Sequence, residues 1–236
     1  MPAFPGFPPE MPTFFRGLKK NNNREWFQAR KEVYETKVKA PMADLMNALN
    51  GELAQVAPDY VTDPAKGIYR IYRDTRFAKD KTPYKDHVGG LFFHRVLGKP
   101  AAALYVGASD KEVEVAGGFY MPGPDEMLAV RTLLAERHEE FLAMTTAKAF
   151  TKLVGEMKGD SLSRVPKGFA SDHPAADLIR RKQWYWYVTF EPALATSPKL
   201  LGEVKKRLLA LVAPVNFFNA PLLARNKRER DRSVYF

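Results

Sequence analysis

The sequence predicts an α+β fold: a mainly antiparallel sheet, packed by helices that include a long N-terminal one. Two observations predict it. Between residues 68 and 120, short apolar or alternating runs are separated by turn chemistry at Gly98-Lys99-Pro100 and Ser109-Asp110. Connections that short join antiparallel neighbours. On either side of that window, apolar residues recur at helical spacing.

Taken in order, residues 1–12 carry Pro2, Pro5, Pro8 and Pro9 and read as an extended arm. Thr13 is suited to cap a short helix, Phe14 to Lys20, which the three asparagines 21–23 stop. Asn23 is then the N-cap of a long helix, 23–40 and beyond, because its short side chain accepts from a free N–H of the first turn. Pro41 falls inside that helical pattern and should kink or divide it. The meander comprises 68–72, 88–95, 101–107 and 112–120. Helices follow at 125–136, about 139–154 and 174–181, the last with Pro174 in its first position. A further strand lies near 184–191, and a last helix runs from 197 or 198 to about Leu211. The predicted organisation is an arm (1–12), a single α+β domain (13–222) and a basic C-terminal segment (223–236). An unbulged register pairs Gly107 with Glu112 and Gly89 with Gly107. It puts the loop 73–87, Gly89-Gly90 and the Asp110-Lys111 turn at one end of the sheet, with Gly117-Gly118 at the other.

Composition narrows the functional classes. The 236 residues include no cysteine, which excludes disulfides, thiolate metal sites and a cysteine nucleophile. The first residues have neither a basic nor an apolar signal-peptide region, and no apolar run approaches the ~18 residues of a membrane span. The expectation is a soluble, cytoplasmic protein with no membrane partner. The formal charge of +10 is uneven. Residues 66–86 hold seven cations and three carboxylates, and residues 225–232 hold five cations and two carboxylates. Charge gathered in two places points to localised anion binding.

The first of these places is the most informative part of the chain. It interleaves Arg70, Arg73, Asp74, Arg76, Phe77, Asp80, Lys81 and Tyr84. In these eight residues the chain resembles a family of mostly bacterial proteins called domain of unknown function 2461. The resemblance continues upstream over 21–27, Asn-Asn-Asn-Arg-Glu-Trp-Phe. Downstream it takes in Gly117 to Pro122 and Val165 to Gly168; the proline-rich start and basic end lie outside it. It implies neither a particular reaction nor a cofactor.

From the residues themselves, Arg70, Arg73, Arg76 and Lys81 are the candidate ligand-binding set. Guanidinium groups fork onto two oxygens of a phosphate or carboxylate, and Asp74 and Asp80 would orient them. The alternative is an ion-pair brace in which these charges neutralise one another and fix a long loop. Three carboxylates cannot neutralise seven cations, which favours a bound anion. The catalytic candidates are Asp74 or Asp80 as general base, Tyr84 as proton donor and Lys81 as electrostatic stabiliser. An aspartate beside several arginines has a lowered pKa and is a poor base near neutrality. Glycine inside a strand marks a bulge or a close approach, so Gly89-Gly90 joins the candidate site.

Elsewhere the sequence offers less. In Trp184 to Phe190, one face carries Trp184 and Trp186 and the other Tyr185 and Tyr187. Core packing of the Trp face outweighs base stacking. The histidines 87, 94, 138 and 173 lack zinc-site spacing, and Glu112, Glu114 and Asp110 fit a solvated face better than Mg²⁺. There is no P-loop, Rossmann or nucleophile-elbow signature. The expected partner is thus an anionic small molecule, a phosphate-bearing metabolite or nucleotide. Second comes a sequence-indifferent nucleic-acid module using the basic loop, the basic C-terminus, Tyr185 and Tyr187. Third comes a structural or interaction protein.

Overall fold

Alternation and turn chemistry build a four-stranded antiparallel sheet from β1 (His87–Phe93), β2 (Ala103–Ser109), β3 (Val113–Phe119) and β4 (Trp184–Phe190), ordered β1-β2-β3-β4. This is the α+β architecture expected. The structure is a computed structural model that describes residues 4–233, with side chains to residue 227. Its helices are α1 (Glu10–Lys20), α2 (Arg24–Gln28), α3 (Lys31–Val33), α4 (Ala40–Val56), α5 (Pro64–Gly67), α6 (Pro124–Thr145), α7 (Lys148–Val154), α8 (Ala176–Ile179), α9 (Leu200–Ala210) and α10 (Val212–Ser233). Among the described residues, no single helix is long and apolar enough to cross a membrane.

The chain clusters into two compact units. The first comprises Met1–Phe92, Tyr105–Val115 and Thr189–Lys206. Its core forms because α1 and α4 each close an apolar stripe: Met11, Phe14, Phe15 and Leu18 on one, Met42, Leu45, Met46, Leu49 and Leu53 on the other. Helix α1 starts one turn before the expected Phe14, at Glu10, because Met11 belongs to the same stripe. Thr13 does not cap it; its hydroxyl donates to the Pro9 carbonyl at 3.1 Å. Phe4 and Phe7 ahead of it are buried, and the Phe7 N–H donates to the Ala195 carbonyl at 2.8 Å.

The predicted long helix over 23–40 is not one α-helix. Asn23 does cap α2, accepting from the Trp26 N–H at 2.9 Å. The helix then breaks at Arg30, whose φ of −125° and ψ of 16° leave helical space. After α3 the chain winds as a π-helix, Tyr34–Lys39, before α4 resumes. Pro41 supplies the reason: it has no N–H for the preceding turn, and the wider π spacing absorbs the missing bond without ending the rod.

The segment 68–72 is also not a regular strand of the sheet. It is an extended edge held by two isolated antiparallel bridges, Ile68 with Gly90 and Tyr72 with Tyr84. Three residues, 69–71, lie between the bridges on one side and five, 85–89, on the other, so a bulge intervenes and a continuous ladder cannot form. The expected hairpin register shifts as well. The Ser109 N–H donates to the Glu112 carbonyl at 2.9 Å, closing a tight turn over Asp110-Lys111. Gly107 therefore neighbours Glu114, not Glu112.

The second unit comprises Phe93–Leu104, Ala116–Val188 and Arg207–Phe236. Trp184 and Trp186 are buried with Val130, Leu134, Phe141 and Phe218, as expected for the Trp face of β4. The two helices expected over 125–154 are instead α6, kinked at Arg137, followed by α7. Helix α10 has no counterpart in the expectations, which stop near Leu211. From Arg228 on, the side chains of the basic C-terminal segment lie outside the described residues. Asn219, fully buried, clamps one residue of a neighbouring segment: it accepts from the Ala102 N–H at 3.0 Å and donates to the Ala102 carbonyl at 2.8 Å.

Candidate functional site

The motif 70–85 folds as an irregular hairpin in the first unit. Its legs are tied by Arg73 N–H to the Pro83 carbonyl (2.9 Å) and Lys85 N–H to the Ile71 carbonyl (2.8 Å). The return leg is fixed by Asn22. That side chain donates to the Tyr84 carbonyl at 3.0 Å and accepts from the Tyr84 N–H at 3.1 Å, imitating a strand partner where none exists. Tyr84 is 2% exposed, and its ring stacks on Phe27 at 4.3 Å between centroids, 20° from parallel. Burial pushes its hydroxyl pKa up.

Within the loop, each carboxylate takes a local partner. Arg76 forks onto Asp74, Nε at 3.0 Å and Nη2 at 2.7 Å. Asp74 also accepts from the Arg76 N–H, and these bonds hold its carboxyl below the usual range. Arg73 binds both Asp80 and the Thr82 hydroxyl. Asp80 also accepts from the Thr82 N–H and hydroxyl, each at 2.9 Å, an Asx turn. The Thr82 N–H, then Arg73, lower the Asp80 pKa to about 2. Both aspartates are poor general bases near neutrality, as their neighbours imply. Lys81 donates to the Thr75 carbonyl at 2.9 Å, across the loop. The third carboxylate, Asp86, has His87 Nδ1 at 3.2 Å and Lys19 Nζ at 3.8 Å. Lys19 also pairs with Asp110, so the loop base and the Asp110-Lys111 turn meet at one end of the sheet.

Of the four expected ligand-binding residues, Arg73 and Arg76 hold different aspartates, Lys81 holds a carbonyl, and Arg70 is exposed with no ion pair among the described residues. Residues not singled out in the sequence complete the arrangement. Lys85 lies 4.9 Å from the Tyr69 ring centroid, a cation–π contact. Burial first, then the nearby charge of Arg70, lowers its ammonium pKa. Asn22 and Thr82 set the loop's frame. Thr82 had a readable signal, two residues after an aspartate; Asn22 had its place in the segment 21–27 of the family resemblance, with nothing to give its partner. Gly89 and Gly90 have protein neighbours: a Cβ at Gly89 would overlap the Tyr105 ring and one at Gly90 the Met46 side chain. Their close approach is by side chains, not by a ligand.

A separate open groove of about 530 Å³ runs along α1 and α2, lined by Pro9, Glu10, Thr13, Phe14, Gly17, Trp26, Arg30 and Val33. None of these belongs to 70–85. Asp110 is taken by Lys19, and among the described residues no three metal-ligating side chains gather. Tyr185 and Tyr187 are half-buried, the first against Tyr120 and the second beneath Lys158.

An α+β fold carrying a charge-dense, braced hairpin defines the class of protein. A family model described as conserved hypothetical protein (DUF2461) matches residues 10–217, and the chain belongs to that family. No curated protein matches it.

Proposed function

We propose that the protein binds a phosphate-bearing small molecule on the hairpin 68–85, with Arg70 and Lys85 as the primary contacts and Lys81 beside them. One observation carries this reading. The three carboxylates of residues 66–86 are committed to Arg76, to Arg73, and to His87 with Lys19. Lys66, Arg70, Lys79, Lys81 and Lys85 make no ion pair among the described residues. Adjacent cations without counter-charge repel, and a bound anion removes that cost. Arg73 and Arg76 remain second-rank contacts, since an aspartate that fixes a guanidinium leaves its other N–H groups free to donate. Nothing in the loop orders an acid, a base and a nucleophile, so the proposal is of binding, not of a reaction.

The test is thermal melting with pyrophosphate against chloride at equal ionic strength. A ligand that binds only the native state at 100 times its Kd should stabilise by about 2.7 kcal/mol. Pyrophosphate should raise the melting temperature of the parent and lose that effect in Arg70→Gln and Lys85→Gln. No rise in the parent, or an equal rise in both variants, would remove the site.

A further inference from the structure

Besides Tyr69, which Lys85 covers, the same hairpin leaves two aromatic rings wholly or partly exposed, Phe77 and Tyr72. Phe77, at the loop tip, is 95% exposed, with the Arg76 guanidinium 5.9 Å from its centroid. A fully exposed phenyl ring is unfavourable in water, and here it is carried by a loop that is anything but slack. The Asp74–Arg76 fork, the Lys81–Thr75 bond and the Asx turn at Asp80 all hold it in shape. A ring presented from a braced loop loses little conformational freedom on binding. Tyr72 is arranged differently. One side of its ring packs on Tyr84, 5.4 Å away, and on Phe27, 6.3 Å away, while 48% of the residue stays open. A ring supported from beneath and open above is a stacking platform.

We propose that the anion held by the hairpin is the phosphate backbone of single-stranded nucleic acid, with bases stacking on Tyr72 and Phe77 and phosphates contacting Arg70, Lys79 and Lys81. The inference rests on the anion-binding reading above and narrows it to a polymer that alternates charge with π faces. The chain alternates the same way: cation at 70, ring at 72, cations at 73 and 76, ring at 77, cations at 79 and 81. The carboxylates of the loop are spent on its own arginines, which leaves stacking and phosphate contact and makes recognition indifferent to sequence. A lipid surface fits less well, because Tyr72 is half-embedded in the protein and cannot insert.

The experiment uses the full chain and a fluorescein-labelled oligothymidylate of about 15 nucleotides, by anisotropy. If Arg70, Lys79 and Lys81 each engage one phosphate, affinity should fall roughly twentyfold between about 50 and 200 mM NaCl. Phe77→Ala should weaken binding about tenfold with its melting curve unchanged. Arg70→Gln should make the log–log salt slope shallower by about 0.7. Lys148→Gln, an exposed change in the second unit, should alter neither. No binding at the lower salt overturns the inference, as does binding that Phe77→Ala and Arg70→Gln leave intact. If pyrophosphate still stabilises the parent in an Arg70-dependent way, the small-anion reading survives that failure. If it does not, both fall. Phe77-dependent capture by anionic lipid vesicles, without oligonucleotide binding, would assign the hairpin to a membrane surface and overturn the proposal.

Discussion

Tyr84 is one of the eight motif residues and a catalytic candidate whose ring is almost fully buried, so its replacement is the sharpest test of how the hairpin packs. Tyr84→Ala removes a ring that is 2% exposed, stacked on Phe27 at 4.3 Å and touching Tyr72 at 5.4 Å. Large aromatic-to-alanine changes in a core cost about 3–5 kcal/mol through lost transfer energy and the cavity left behind. The ring-on-ring contact accounts for about 0.5–1.5 kcal/mol beyond area. We expect about 4 kcal/mol. In a protein of this size each kcal/mol moves the melting temperature by about 2–4 °C, so the variant should melt roughly 8–16 °C early. Tyr84→Phe keeps the ring and loses a hydroxyl that makes no hydrogen bond among the described residues. It should stay within about 1 kcal/mol of the parent and bind pyrophosphate equally well. Calorimetry and urea titration of the three proteins decide. If Tyr84→Ala melts within about 3 °C of the parent, the packing argument is wrong. If Tyr84→Phe loses anion binding while keeping its stability, the hydroxyl is functional and the ring's role as a brace has been overstated.

Asn219→Ala should cost about 3 kcal/mol in urea titration, because it strands the buried N–H and carbonyl of Ala102 together. Asn219→Asp should not rescue it, since a carboxylate accepts from the N–H but cannot donate to the carbonyl. Asp80 titrates at about 2 in the folded protein against an ordinary 3.8. The stability it contributes should therefore be complete above its unfolded value and be lost as pH falls from 3.8 through about 2. Carboxyl chemical shifts followed through that window check the sign, and a midpoint at or above 3.8 contradicts the Asx turn.

Where period and punctuation agree, the sequence and the structure coincide. β1 to β4 fall within two residues of their expected ends at nearly every boundary, because alternation and the turns at 98–100 and 109–112 act locally. The expectations fail where a local signal is outweighed at longer range. The bulge opposite 68–72 depends on how 84–90 pairs, which no single-strand pattern encodes. Pro214 and Pro221 argue against a helix, yet α10 tolerates the first in its opening turn and accommodates the second while Val215 and Phe218 bury. In the site, residue types named the ion-pair brace, but not its pairings. Arg76 and Asp74 are two residues apart and pair at once. Arg73 reaches Asp80 only after the loop has closed. Lys85 escaped notice because its nearness to Arg70 comes from the pairing of the two legs.

The ion-pair brace and the proposed binding site are not competing accounts of this hairpin. A brace needs each carboxylate to have one cation, and that condition is met by Arg76 at Asp74, Arg73 at Asp80 and Lys19, at 3.8 Å, at Asp86. What remains is a fixed loop with surplus positive charge, and the surplus is felt inside the fold: Arg70 helps to depress the half-buried Lys85 ammonium. A hairpin serving only as a brace would be more stable with a neutral residue at 70 or 85, since a half-buried ammonium beside a second cation opposes folding. Under the proposed function, keeping both is a cost that a bound anion would offset, which would link binding to stability by mass action. The same logic explains why the aspartates are spent locally. With their carboxylates held by Arg76 and by Thr82 and Arg73, they would not compete with the proposed phosphate for Arg70 and Lys85.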